Sequence, residues 1–146
     1  MRNLLIAISA LMLFAGCNQD KSLSKKVPGW YSYEQKIEKG NISGKLTYYK
    51  NGALKLTATI KGELVQSINI GIDLTATGNW KVENGYLKED IVEFKTIPQS
   101  IGDALLAEYK KEALTSPGDK IIHVNKEELQ VKTPKGETVT YKRLQQ

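Results

Sequence analysis

Leu54-Lys55-Leu56-Thr57-Ala58-Thr59-Ile60-Lys61 alternates without a break, with every even position apolar and every odd one polar. Ile68-Asn69-Ile70-Gly71-Ile72-Asp73-Leu74 repeats the pattern shortly afterwards. Successive strand side chains point to opposite faces, so a period of two means one face buried and one wet, as in antiparallel sheet. Hairpin signals flank these runs. Asn51-Gly52 follows Tyr48-Tyr49-Lys50, and Asn84-Gly85 separates Trp80-Lys81-Val82-Glu83 from Tyr86-Leu87. Asn-Gly supplies the positive φ angles of a type I′ turn. Lys135-Gly136 is placed to join two late strands, Glu128–Thr133 and Glu137–Arg143.

A different period governs Pro98 to Leu114. Ile101, Leu105, Tyr109 and Ala113 recur every four residues with Leu106 alongside, while Asp103, Glu108, Lys110, Lys111 and Glu112 fill the other positions. This is an amphipathic helix, with Thr96 or Ser100 available to cap its start and Ser116-Pro117-Gly118 to end it. Its apolar stripe is expected to pack on the sheet or plug one end of a barrel; the other use of such a stripe is to meet a partner or a membrane. Tyr86 to Lys95 alternates poorly: Leu87 and Ile91 share one face, Val92 and Phe94 the other. Either Glu89-Asp90 holds a bulge that switches faces, or the end near the helix is buried on both sides.

The order is therefore five or six strands in hairpins, one helix, then three strands. So many strands in a small domain hide their edges best by closing. The expected fold is mainly β: a meandering antiparallel barrel of about eight strands, with one amphipathic helix over residues 98–114 before the last three strands.

The amino terminus says where the protein resides. Arg2 gives a short positive start, Leu4 to Phe14 is apolar, and Ala15-Gly16 sets small side chains before the chain's one cysteine, Cys17. This is the layout of an export signal, and its apolar run is shorter than the ~18 residues of a membrane span. The segment resembles the lipobox of bacterial lipoproteins, with Phe14 where that motif usually has Leu. The resemblance implies cleavage after Gly16, a diacylglyceryl thioether on Cys17 and acylation of the new amino terminus. Each buried acyl methylene adds roughly 0.8 kcal/mol of membrane affinity. The other reading is an ordinary signal cut near Gly16, leaving Cys17 a free thiol. Asn18 after Cys17 is similar to outer-membrane sorting in a host with two membranes. The expected organisation is a signal peptide over 1–16, a lipidated flexible tether over 17–27 and a barrel domain over 28–146, exported and lipid-anchored to the cell envelope.

With Cys17 lipidated no thiol remains, so disulfides and thiolate metal sites are ruled out for the mature chain. The net charge of +5 comes from lysines scattered along the strands, such as Lys45, Lys50, Lys55 and Lys61, with Arg143 the one arginine beyond the leader. That distribution fits a solvated outer face, and no nucleic-acid partner is expected of an exported chain with so little arginine.

Gly29-Trp30-Tyr31 opens the domain, Asn51-Gly52-Ala53 turns a hairpin that leads on to Gly78-Asn79-Trp80-Lys81-Val82, and Thr140-Tyr141-Lys142-Arg143-Leu144 closes the chain. This succession is similar to bacterial lipocalin-like domains of the calycin type. The early glycine and tryptophan are adjacent here, whereas lipocalins space them by one residue, as at Gly78-Asn79-Trp80. The resemblance implies a ligand-holding barrel in which a late arginine covers an early tryptophan, here Arg143 on Trp30. A solvent-exposed terminal Arg143 is the alternative.

No catalytic constellation is visible, and no cofactor, metal site or enzymatic activity is expected. His123 lies between Ile122 and Val124 with no evident nucleophile or orienting acid. Glu89-Asp90 and Glu127-Glu128 are sequence neighbours, which in a strand face opposite ways. What remains is the barrel interior, for which the candidate ligand-facing residues are Leu56, Ile60, Ile70, Ile72, Trp80, Val131 and Tyr141. Such a barrel is either filled by its own side chains or holds one small ligand. The first case suits an inhibitor or immunity-type module with an envelope protein as partner, the second a carrier of a small hydrophobic ligand or lipid.

Overall fold

A computed structural model describes residues 19–37, 40–65 and 68–145, with side-chain surroundings at all of these but 37, 63–65 and 68–70. Residues 1–18, with the expected cleavage and lipid-attachment residues Gly16 and Cys17, lie outside the described residues. Eight antiparallel strands follow one another in a single sheet in sequence order: β1 (Gly29–Ile37), β2 (Gly40–Tyr48), β3 (Ala53–Val65), β4 (Ile68–Glu83), β5 (Tyr86–Lys95), β6 (Asp119–Val124), β7 (Glu128–Lys132) and β8 (Thr138–Lys142). The first and last strands meet through a bridge between Tyr31 and Arg143, and Leu144 N donates to the Trp30 carbonyl at 2.8 Å. The sheet is thereby a nearly closed barrel. The expected even positions of β3, Leu54, Leu56, Ala58 and Ile60, are all buried inside it.

The turns explain the register. Asn84 and Gly85 both take positive φ, +54° and +80°, as a type I′ hairpin requires. Asn51 does not. That turn is instead closed by Gly52 N to Tyr49 O (3.1 Å) and Tyr49 N to Ala53 O (2.9 Å), with only Gly52 in the left-handed region. It is a type I turn followed by a glycine bulge, and the Asn51 carboxamide accepts from Ala53 N at 3.0 Å. The face switch in β5 also falls elsewhere than expected. The register slips where Thr77 pairs with Glu93 and Gly78 with Ile91, so Val92 is the extra residue and Glu89-Asp90 is regular. Gly78 sits opposite this bulge because a Cβ there would run into the Asp90 carbonyl.

Helix α2 (Gln99–Ala113) lies along β5 for a definable reason. β5 pairs with β6 only at Tyr86 and Leu87, leaving the rest of that edge without a ladder partner. Side chains of the helix supply what the ladder does not. The Tyr109 hydroxyl donates to Glu89 O at 2.7 Å and accepts from Ile91 N at 3.4 Å, and Gln99 Nε2 donates to Phe94 O at 2.8 Å. Thr96 secures the helix start, its Oγ1 accepting from Gly102 N at 2.8 Å. The stripe residues Ile101, Leu105, Leu106 and Tyr109 pack on the core as expected.

The segment before β1 corrects the expected tether. Residues 19–26 form a helix, α1, docked on the barrel end. The Asp20 carboxylate accepts from Asn84 N (2.7 Å) and Gly85 N (2.8 Å), Leu23 packs on the core, and Val27 is fully buried. The segment shows no apolar period because its docking uses backbone carbonyls and one carboxylate more than a hydrophobic face.

Arg143 corrects a second expectation. Its guanidinium lies over Tyr31, 4.9 Å from the ring centre, and Trp30 is instead covered by Lys45 Nζ at 4.0 Å. Neighbours in a strand face opposite ways, so the residue beside the bridge to Arg143 is Tyr31. Arg143 donates from Nε to Asn125 O (2.7 Å), from Nη1 to Pro28 O (2.9 Å) and from Nη2 to Lys26 O. A side chain at Gly29 would occupy the guanidinium's place. Charge-assisted hydrogen bonds contribute about 1.5–3 kcal/mol each before losses in context. Arg143→Met should therefore lower unfolding free energy by roughly 2–4 kcal/mol in chemical denaturation, whereas Lys45→Ala, at an exposed site, should change it by less than about 0.5 kcal/mol.

Candidate functional site: the barrel interior

One end of the barrel is solidly filled. Tyr31 meets Tyr48 edge-on with centroids 5.8 Å apart, and Tyr48 meets Trp80 edge-on at 5.6 Å. The Trp80 indole N–H donates to Tyr49 O at 2.9 Å, and the Tyr31 hydroxyl donates to Val27 O at 2.6 Å. Above this aromatic floor the interior opens into a cavity of about 780 Å³. Its walls carry Leu46, Leu54, Leu56, Leu74, Ala76 and Leu87, and its exposed rim includes Gln35 of β1, Glu112 of α2 and Glu137 beside β8.

The cavity floor is not apolar. Glu89 of β5 reaches across the inside to Tyr48 of β2, whose hydroxyl donates to Glu89 Oε1. Those strands are separated by β3 and β4, so the two side chains meet only through the lumen. Glu89 is open to water from the cavity, yet the protein around it desolvates the carboxyl enough to raise it above the ordinary range. The Tyr48 hydrogen bond opposes that rise and the nearby Asp119 adds to it. Asp119 is itself raised by burial. Tyr33 and Tyr141 stack in the same space, rings 8° from parallel with centroids 6.1 Å apart. Burial, then the charges of Glu89 and Asp119, push Tyr33 up to about 12. Tyr48 and Tyr141 are raised by burial and then by Glu89.

Among the sequence candidates, Leu56 and Tyr141 line this cavity. Ile60, Ile72, Trp80 and Val131 are buried in the surrounding core, and the side chain of Ile70 lies outside the described residues. Glu89, Tyr33 and Asp119 were missed as interior groups. The signal for Glu89 was present, since it shares the parity of Leu87 and Ile91 on one strand. His123 points to the outer side, 2.8 Å from Glu128 Oε1.

No protein-family model matches this chain, and no curated protein matches it. The assignment of the interior therefore rests on its geometry.

A carboxyl whose folded pKa is raised holds its proton over a range where the unfolded chain has released it. The native state then binds more protons there, and stability falls as pH rises through the raised pKa. Tyr48, Tyr33, Tyr141, Tyr109 and Asp119 face Glu89 from β2, β1, β8, α2 and β6, and none brings a positive charge. Glu89→Gln keeps an oxygen for the Tyr48 hydroxyl and removes the charge. It should raise the midpoint of thermal unfolding by a few degrees above neutral pH. The gain should shrink to nothing as pH falls toward the ordinary glutamate value of 4.5, read by calorimetry across pH.

Proposed function

We propose that this chain is a lipid-anchored cell-envelope protein that holds a small, largely apolar molecule inside a lipocalin-like barrel, acting by binding and not by catalysis. The cavity carries this reading. Its roughly 780 Å³ falls within the ~300–1,000 Å³ of ordinary ligand sites, and its aliphatic wall offers apolar contact while the polar groups of floor and rim can orient a ligand. An inhibitor or immunity-type module with a filled barrel would have its interior side chains packed to contact, which the upper half of this barrel does not do. The envelope location is supported by the leader, with Gly16 and Cys17 as the cleavage and lipid-attachment residues and a host with two membranes directing it outward through Asn18. Among the described residues no helix is long and apolar enough to cross a membrane.

Two measurements test the two halves separately. Native mass spectrometry of the protein purified from its own envelope should show an added small mass that is lost on denaturation; a clean protein mass from repeated preparations would count against a carrier. Cys17→Ser should shift the protein from the membrane to the soluble fraction, and retention in the membrane would refute lipid anchoring through that thiol.

A further inference from the structure

The charges of this protein are unevenly placed. Cations outnumber acids over the whole chain, 21 to 16, yet Glu34, Glu89, Glu108, Glu112, Asp119 and Glu137 all border the cavity. Lys88 is the lone cation on its lining, and its Nζ is held by Glu83 at 2.8 Å. The hydrogen-bonding groups are one-sided as well. Tyr33 spends its O–H on Gln35 Oε1 at 2.7 Å, Tyr48 on Glu89 Oε1, and Tyr109 on the Glu89 carbonyl. Glu89 Oε2 has no hydrogen-bond partner among the described residues, although no side-chain polar atom there is sealed off unpartnered. It is therefore open to the cavity, where water reaches it and a ligand's donor can take the water's place. The Tyr33 and Tyr141 rings, whose faces favour cations, stand in the same space. Among the described residues no three His, Cys, Asp or Glu side chains converge as a metal site.

We infer that the ligand of this cavity is a cationic amphiphile: an apolar or aromatic body seated against the leucine wall, with an ammonium group donating to Glu89 at the floor. The inference rests on the carrier reading and adds the headgroup to it. Placing an ammonium against Glu89 supplies the positive partner that the fold itself withholds from that carboxylate. It also excludes fatty acids and other anionic lipids, whose headgroups would meet six carboxylates bordering the cavity.

The test uses the full-length protein and three probes with one body and different heads: 4-phenylbutylamine, 4-phenylbutan-1-ol and 4-phenylbutyrate. Displacement of the neutral dye N-phenyl-1-naphthylamine reports each of them. The amine should bind at least tenfold more tightly than the alcohol, and the carboxylate should displace no dye. Glu89→Gln should bring the amine to within about twofold of the alcohol. Asp73→Asn, on the outer face beside Thr59, should keep the full preference. Should Glu89→Gln fail to fold by circular dichroism, Asp119→Asn takes its place and should lower the preference at least threefold. Dye binding with equal or tighter affinity for the alcohol or the carboxylate would overturn the cationic headgroup and leave the carrier reading standing. Failure of the dye and all three probes to bind would overturn both.

Discussion

Arg143 donates to carbonyls on both sides of the barrel's seam, at Lys26 and Pro28 before the first strand and at Asn125 in the β6–β7 turn. Otherwise a short bridge of backbone and the stacked rings of Tyr33 and Tyr141 join β1 to β8. A sheet with an unsealed seam would expose two edges to pairing with other chains. It would also admit bulk water beside Tyr31, whose hydroxyl burial raises to about 12 against the pull of Arg143. With one cysteine in the sequence no disulfide can form within the chain, and one guanidinium does at the seam what a covalent cross-link does in many small domains. The glycine at position 29 belongs to the same device, because the guanidinium needs the room.

Much of the architecture was legible because its causes are local. Strict alternation over Leu54–Lys61 specified a half-buried antiparallel strand, Asn84-Gly85 specified the β4–β5 turn, and the four-residue period of Ile101, Leu105 and Tyr109 specified the helix to within a residue at each end. The errors fall where long-range contacts decide. Helix α1 is polar and reads as a tether, yet its carbonyls and Asp20 find partners 64 to 117 residues away in sequence. The bulge at Val92 depends on pairing across to Gly78, which no local signal in β5 reveals. Arg143 takes Tyr31 in place of Trp30 because closure puts the inward residue of that pair at the seam.

The site was less legible than the fold, for one physical reason. Binary patterning equates inward with apolar, and the residues that distinguish this interior are the exceptions to it. Glu89 stands between Leu87 and Ile91 on the same face, and Asp119 precedes the buried Ile121 by two. Read as charges, they belong outside; read by parity, they belong inside. The open lumen reconciles the two readings, since a carboxylate can face inward there and still reach water.

The docking of α1 has a geometric consequence for the proposed lipid anchor. Asp20 is fixed to the β4–β5 turn at the filled end, and three residues of chain from Cys17 reach at most about 11 Å. Along β1, the rim at Gln35 stands six residues beyond Gly29, or about 20 Å at the rise of a strand. A protein held by Cys17 would thus sit floor-down on the bilayer, like a cup standing on its base. On such an anchor the standoff would be too short for the domain to tumble freely, and the rim would point at the aqueous compartment. Cargo would then be caught from solution by a receptor confined to two dimensions, not drawn up from the lipid beneath it.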